Sequence, residues 1–202
     1  FSGGAHAARA IDIQDILAVP TRASSFNEGL EWVWNIREAV RKNLTAQGFD
    51  TALVADEGGL TARLNSDEEA IALVADAISE VGLSGKAHIA LDIAANQLFS
   101  DGKYLIHEDG QESALASEEF VARWSSWLDR YPIISVEDGA AEDDEEGWVA
   151  QRALTSRIQV LGDDRYATQF TRLKEGLSKS EANAILIKPN QAGTLFAALA
   201  TL

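Results

Sequence analysis

Four apolar stretches of this chain each stop at one charged residue, and their spacing limits what the chain can fold into more than any other feature. His88-Ile89-Ala90-Leu91 ends at Asp92, Ile133 to Val136 at Glu137, Ile158 to Leu161 at Gly162-Asp163, and Ala184 to Ile187 at Lys188. The steps from Asp92 to Glu137, to Asp163 and to Lys188 are 45, 26 and 25 residues, each long enough for a strand, a loop, a returning helix and the next strand. That is the period of a parallel β/α protein. Parallel strands deliver their carboxyl ends to one face, so three carboxylates and an amine converge on one mouth, where barrels of this kind keep their chemistry. Oxygen donors beside a lysine suggest a hard metal ion and a base.

Between these strands apolar residues recur at helical intervals. Ser25 with Glu28 has capping-box spacing ahead of Phe26, Leu30, Val33, Val40 and Leu44, and Ser66 with Glu69 repeats it ahead of Ile71, Val74, Ile78 and Val81. Gly48 and Gly82 close the two segments. Residues 10–19 read as a strand ended by Pro20, Thr51 to Ala55 as a short strand running into Asp56-Glu57-Gly58-Gly59, and 99–106, with Asp101-Gly102 inside it, as a hairpin or excursion. Further helices are expected from about Ser117 to Arg130, with Phe120, Trp124, Trp127, Leu128 and Tyr131 towards the core, and near 145–154, 170–179 and 194–202. The acid run Glu142 to Glu146 reads as a solvated first helical turn, and His88 and His107 receive no role. A closed barrel takes eight strands and usually ~250 residues. About six strand-like segments in 202 residues therefore predict one incomplete α/β domain over 1–202, a partial TIM-like (β/α) barrel.

The net charge of -15 argues against nucleic acid, whose phosphates it would repel. A small anionic substrate is repelled too, unless a bound cation supplies positive charge in the site. With no cysteine, thiolate catalysis, thiolate zinc sites and disulfides are all excluded. No apolar run approaches the ~20 residues of a membrane span, and nothing near Phe1 has a signal-peptide layout. A soluble, cytoplasmic chain is the expectation. The ends at Phe1 and Leu202 read as cut from something longer.

Gly4-Ala5-His6-Ala7, Asp12-Ile13-Gln14-Asp15, Asp56-Glu57-Gly58-Gly59, Leu91-Asp92-Ile93-Ala94-Ala95, Ser135-Val136-Glu137-Asp138, Glu142-Asp143-Asp144, Gly162-Asp163-Asp164 and Leu186-Ile187-Lys188-Pro189-Asn190-Gln191-Ala192-Gly193-Thr194 follow one another in this order. The series resembles the enolase family, the phosphopyruvate hydratases, over essentially the whole chain, which corresponds to the middle of that family's barrel domain. The resemblance implies that Asp92, Glu137 and Asp163 hold a magnesium ion, that Lys188 is the general base and that Glu57 is the general acid. It gives His6, Gln14 and Asp15 substrate contacts or a part in assisting that acid. It further implies a small anionic phospho-substrate, 2-phosphoglycerate or phosphoenolpyruvate, and a homodimer. Desolvation and nearby positive charge are expected to move Lys188 towards use as a base, and neighbouring carboxylates to keep Glu57 protonated. The family's upstream small domain and its downstream phosphate-gripping residues are outside the 202 residues. Asp15 stands where the family usually has Glu, Gly139 where it usually has Pro, and Pro189 where a small or branched apolar residue is usual. Those departures leave two further readings open: an enolase-like enzyme for a phosphonate or phosphinate analogue, and a non-catalytic paralogue kept as a binding scaffold.

Overall fold

A computed structural model describes residues 1–52 and 54–202. Leu53, the centre of the strand expected at Thr51 to Ala55, lies outside the described residues, and its described neighbours in that stretch form no strand.

Five strands make the main sheet, in the order β1 (Asp15–Val19), β2 (His88–Asp92), β6 (Ile133–Glu137), β7 (Gln159–Gly162) and β8 (Ala184–Ile185). From β2 to β8 every pairing is parallel, as the spacing of charged strand ends predicts. β1 runs the other way, with Asp15 opposite Asp92 and Val19 opposite His88. Among the described residues the sheet does not close, which is the partial barrel expected.

β1 is half the length read from residues 10–19, because residues 11–13 and the Gln14 carbonyl direct their backbone groups elsewhere. Asp12 and Ile13 donate their N–H groups to Asp67 Oδ1 at 2.9 and 3.0 Å. The carbonyls of Gln14 and Ile11 accept from Gly3 and Gly4 at 2.8 and 2.9 Å. β8 likewise stops at Ile185 rather than Ile187, and the Lys188 N–H turns aside to Thr168 Oγ1 at 2.8 Å.

The helices α1 (Phe26–Ala46) and α2 (Asp67–Glu80) follow β1. Ser25 and Ser66 accept from the backbone N–H of Glu28 and Glu69, as the capping-box spacing requires. Each glutamate reaches back one residue beyond the cap, to the N–H of Ser24 at 2.6 Å and of Asn65 at 2.8 Å. Val40 and Leu44 of the expected α1 stripe are buried together with Ile36 and Ala39, but Phe26 and Leu30 are 82% and 59% exposed. The apolar period is right for the second half of α1, while in its first turns Gly29 is the buried residue and the apolar side chains face outwards.

The hairpin or excursion expected after β2 is an excursion larger than one hairpin. It is a three-stranded antiparallel sheet of β3 (Phe99–Ser100), β4 (Lys103–Glu108) and β5 (Gln111–Leu115). Asp101-Gly102 and Asp109-Gly110 form its two tight turns, all four residues at positive φ, the backbone that matches strand twist. Tyr104 of β4 stacks on Phe120 of α3 (Ser117–Ser125), with ring centroids 3.9 Å apart. Trp124 and Trp127 are buried as expected.

The acid run does more than form a solvated turn. α4 (Glu145–Gln151) starts one residue after Asp144, a buried cap that accepts from Gly147 N–H at 3.1 Å and from Tyr104 Oη at 2.6 Å. Glu142 pairs with Arg172, and Glu145 with Arg165 and Lys179. Glu145 and Glu146 form the exposed acidic first turn expected, and the pairs of Glu142 and Glu145 also fasten α4 to α5 (Phe170–Lys179). Two short helices, α6 (Pro189–Ala192) and α7 (Leu195–Thr201), end the chain. No helix among the described residues is long and apolar enough to cross a membrane.

Candidate active site

Parallel register brings the carboxyl ends of the strands level. Asp92 pairs with Glu137 across β2 and β6, and Glu137 with Leu161 of β7, two residues before Asp163. One oxygen each from Glu137, Asp138 and Asp163 lies within 4.8 Å of the others. Burial, then the charges of Asp92, Asp138 and Asp163, push the Glu137 carboxyl up to about 8. Burial, Asp15 and Asp163 push Asp92 up to about 7.

Asp138 was not among the residues the sequence pointed to, and its role differs from that of its neighbours. Its two oxygens accept the backbone N–H groups of Asp163 and Asp164 at 3.1 and 2.8 Å. It sits at φ 41° and is buried, so it ties the end of β6 to the loop that presents Asp163. Asp92 stands outside the tight group and is held separately, by Gln14 Nε2 at 3.0 Å and by the Ala94 N–H at 3.1 Å.

Lys188 reaches the group from the far edge. It is the residue before α6, and its Nζ donates to Asp163 Oδ2. Gln191 Nε2 donates to the other oxygen, Oδ1, at 3.2 Å. Burial alone lowers the Lys188 ammonium, but the bond to Asp163 and the charges of Asp163, Glu137 and Asp164 outweigh it and leave it raised. That reverses the direction expected from sequence, since the lysine here meets carboxylates rather than positive charge.

The opposite edge carries the remaining residues. His6 lies in a single 3₁₀ turn at Gly4–Ala7, with its Nδ1 3.4 Å from Asp15 Oδ2. Ser2 Oγ donates to Asp15 Oδ1. Glu57 is exposed in a second 3₁₀ turn, Asp56–Gly58, at φ 63°, a left-handed conformation that a non-glycine residue rarely adopts without cause. One ligating atom each from His6, Asp15 and Glu57 lies within 4.8 Å of the others. The expected residues therefore form two clusters, His6, Asp15 and Glu57 beside β1 and Glu137, Asp163 and Lys188 beside β6 to β8. Gln14 and Asp92 stand between them.

The family model for the enolase C-terminal TIM barrel domain matches residues 1–202. The chain belongs to the enolase family. A protein named enolase from Campylobacter lari (strain RM2100 / D67 / ATCC BAA-1060) is 41% identical over 196 residues, which is 96% of this chain and 46% of the relative. The chain thus spans about half the length of the enolase it matches.

An enolase-type site implies a divalent cation, and the residues here fit one. The donors are all carboxylate oxygens, the ligand type that hard cations take. Glu137, Asp163 and Asp92 are partly desolvated, and burial first, then neighbouring carboxylates, drives Glu137 and Asp92 towards protonation. A bound cation neutralises that repulsion.

Proposed function

We propose that this chain is the middle of the barrel domain of a magnesium-dependent lyase that interconverts 2-phosphoglycerate and phosphoenolpyruvate in glycolysis, acting as a cytoplasmic homodimer. One observation carries the reading. A lysine and a glutamate flank the carboxylate group from opposite edges of one sheet, Lys188 beyond β8 and Glu57 beside β1.

Asp92, Glu137 and Asp163 hold the magnesium ion, which when bound supplies the positive charge that stabilises the electron-rich substrate carboxylate. Lys188 Nζ takes the proton from the carbon next to that carboxylate. The electron pair left behind expels the hydroxyl on the neighbouring carbon, and Glu57 gives that group its proton so that it departs as water. Gln14, His6 and Asp15 contact the substrate from the β1 side. Lys188 is free for this task only when Asp163 is engaged elsewhere, because the ion pair keeps the proton on Nζ.

The test is a magnesium-dependent assay of 2-phosphoglycerate dehydration on the full-length gene product. Lys188→Ala and Glu57→Gln are each expected to lower turnover by ~10²- to 10⁴-fold, the usual contribution of a positioned acid or base. A folded wild type that binds magnesium without turning over refutes the substrate assignment, and full activity in Lys188→Ala refutes the base.

A further inference from the structure

Between the two clusters runs a line of hydrogen bonds that the reaction does not itself require. The Ala5 N–H, next to His6, donates to Gln97 Oε1 at 2.8 Å. Gln97 Nε2 donates to Gln14 Oε1, and Gln14 Nε2 donates to Asp92 Oδ2 at 3.0 Å.

The direction of this line is fixed chemically from the Ala5 end. A backbone N–H can only donate, so Gln97 must present its oxygen to Ala5 and its amino group to Gln14. Gln14 then presents its oxygen to Gln97 and its amino group to Asp92, the arrangement that a cation-holding, ionised Asp92 requires. Each amide is thereby held in one of its two orientations. Gln97 is itself set by a one-turn 3₁₀ helix, Ala95–Gln97, and Gly4 makes room for it, since a Cβ there would stand 3.1 Å from both Gln97 Oε1 and Gln14 Cα.

We propose that Gln97 is a positioning residue: it locks the side-chain amide of Gln14 in the orientation that donates to Asp92, and so aligns that carboxylate with the loop carrying His6. The inference rests on the reading of Asp92 as a cation ligand, and it adds a residue that acts through Gln14 and touches neither substrate nor cation. Partners of metal ligands at this remove set ligand orientation, and their loss commonly costs 10- to 100-fold in affinity.

Two measurements on the full-length gene product test it. The first is magnesium affinity by calorimetry for wild type, Gln97→Leu, Gln14→Leu and the double variant. Gln97→Leu is expected to weaken binding about 10-fold, and to weaken it no further on the Gln14→Leu background, because the path through Gln14 is already gone. Equal losses on both backgrounds, or no loss, overturn the proposal. The second is the ¹⁵N resonance of the Gln14 side-chain amide, which is expected to move in Gln97→Leu with no magnesium present. An unmoved resonance overturns the proposal by itself. A moved resonance in a protein that binds no magnesium upholds the line of bonds and refutes the cation reading instead. Gln97→Glu gives a check on sign. A carboxylate at this position can only accept, so it competes with Asp92 for the Gln14 amino group, and binding is expected to weaken although negative charge has been added. Tighter binding overturns the proposal.

Discussion

Asp67 is the first residue of α2, only 4% exposed, and its carboxylate accepts two backbone N–H groups from residues 12 and 13. Burial is the dominant influence on it and, with the nearby Asp12, outweighs those bonds and the charge of Arg123, lifting its pKa from 3.8 to about 6. In the unfolded chain the group returns to its ordinary value. Between those two values the folded state binds more protons than the unfolded one, so stability is lost as pH rises through the window. The whole difference is worth about 3 kcal/mol at 1.36 kcal/mol for each pH unit, and about 2 kcal/mol of it falls between pH 4.5 and 7.5. Asp67→Asn keeps a carbonyl oxygen for the two N–H groups and removes the ionisation. Urea denaturation of wild type and variant across that range is therefore expected to show the variant gaining on wild type by about 2 kcal/mol as pH increases. Parallel curves, or a gap that closes towards pH 7.5, would refute the reasoning, since a carboxylate stabilised by its N–H donors gives the opposite slope.

Two further substitutions test the packing behind the site. Tyr104→Phe strands the buried Ala141 N–H and one oxygen of Asp144, which the hydroxyl serves at 2.9 and 2.6 Å; a loss of about 3 kcal/mol is expected by chemical denaturation, and less than 1 kcal/mol would show that water or rearrangement replaces it. Arg165→Met leaves Glu181, 1% exposed, without its main partner, at about 3 kcal/mol, and adding Glu181→Met is expected to restore most of that, because the pair as a whole contributes far less than either half left alone.

What could be read from the sequence was whatever depends on neighbours a few residues apart. The caps Ser25 and Ser66 and the turns at Asp101-Gly102 belong to that class, and the parallel strands ending near Asp92, Glu137 and Asp163 showed through the spacing of the charged residues that close apolar runs. What escaped depends on partners far along the chain. The direction of β1 is set by its pairing with β2, about seventy residues away, and alternating apolar residues look the same in a strand of either direction. The exposure of Phe26 and Leu30 depends on what packs against the start of α1, not on helical period. Asp138 and Gln97 stand one and five residues from expected ligands, yet only their distant partners, Asp163, Asp164, Gln14 and Ala5, distinguish them from a turn carboxylate and a loop amide. The Lys188 charge balance was misjudged because its nearest contact is Asp163, 25 residues away.

The reversed strand has an effect on how often the chain passes the mouth. β1 leads away from that end, and two antiparallel neighbours such as β1 and β2 need only a short turn at the opposite end to join them. The chain instead climbs the length of α1 and descends along α2, and the segment between those helices returns to the mouth an additional time. That extra visit delivers Glu57 beside His6 and Asp15. A regular β/α alternation offers one loop per strand at the working end; here a strand laid backwards, with a second helix to correct the direction, gives three loops where two strands would supply two.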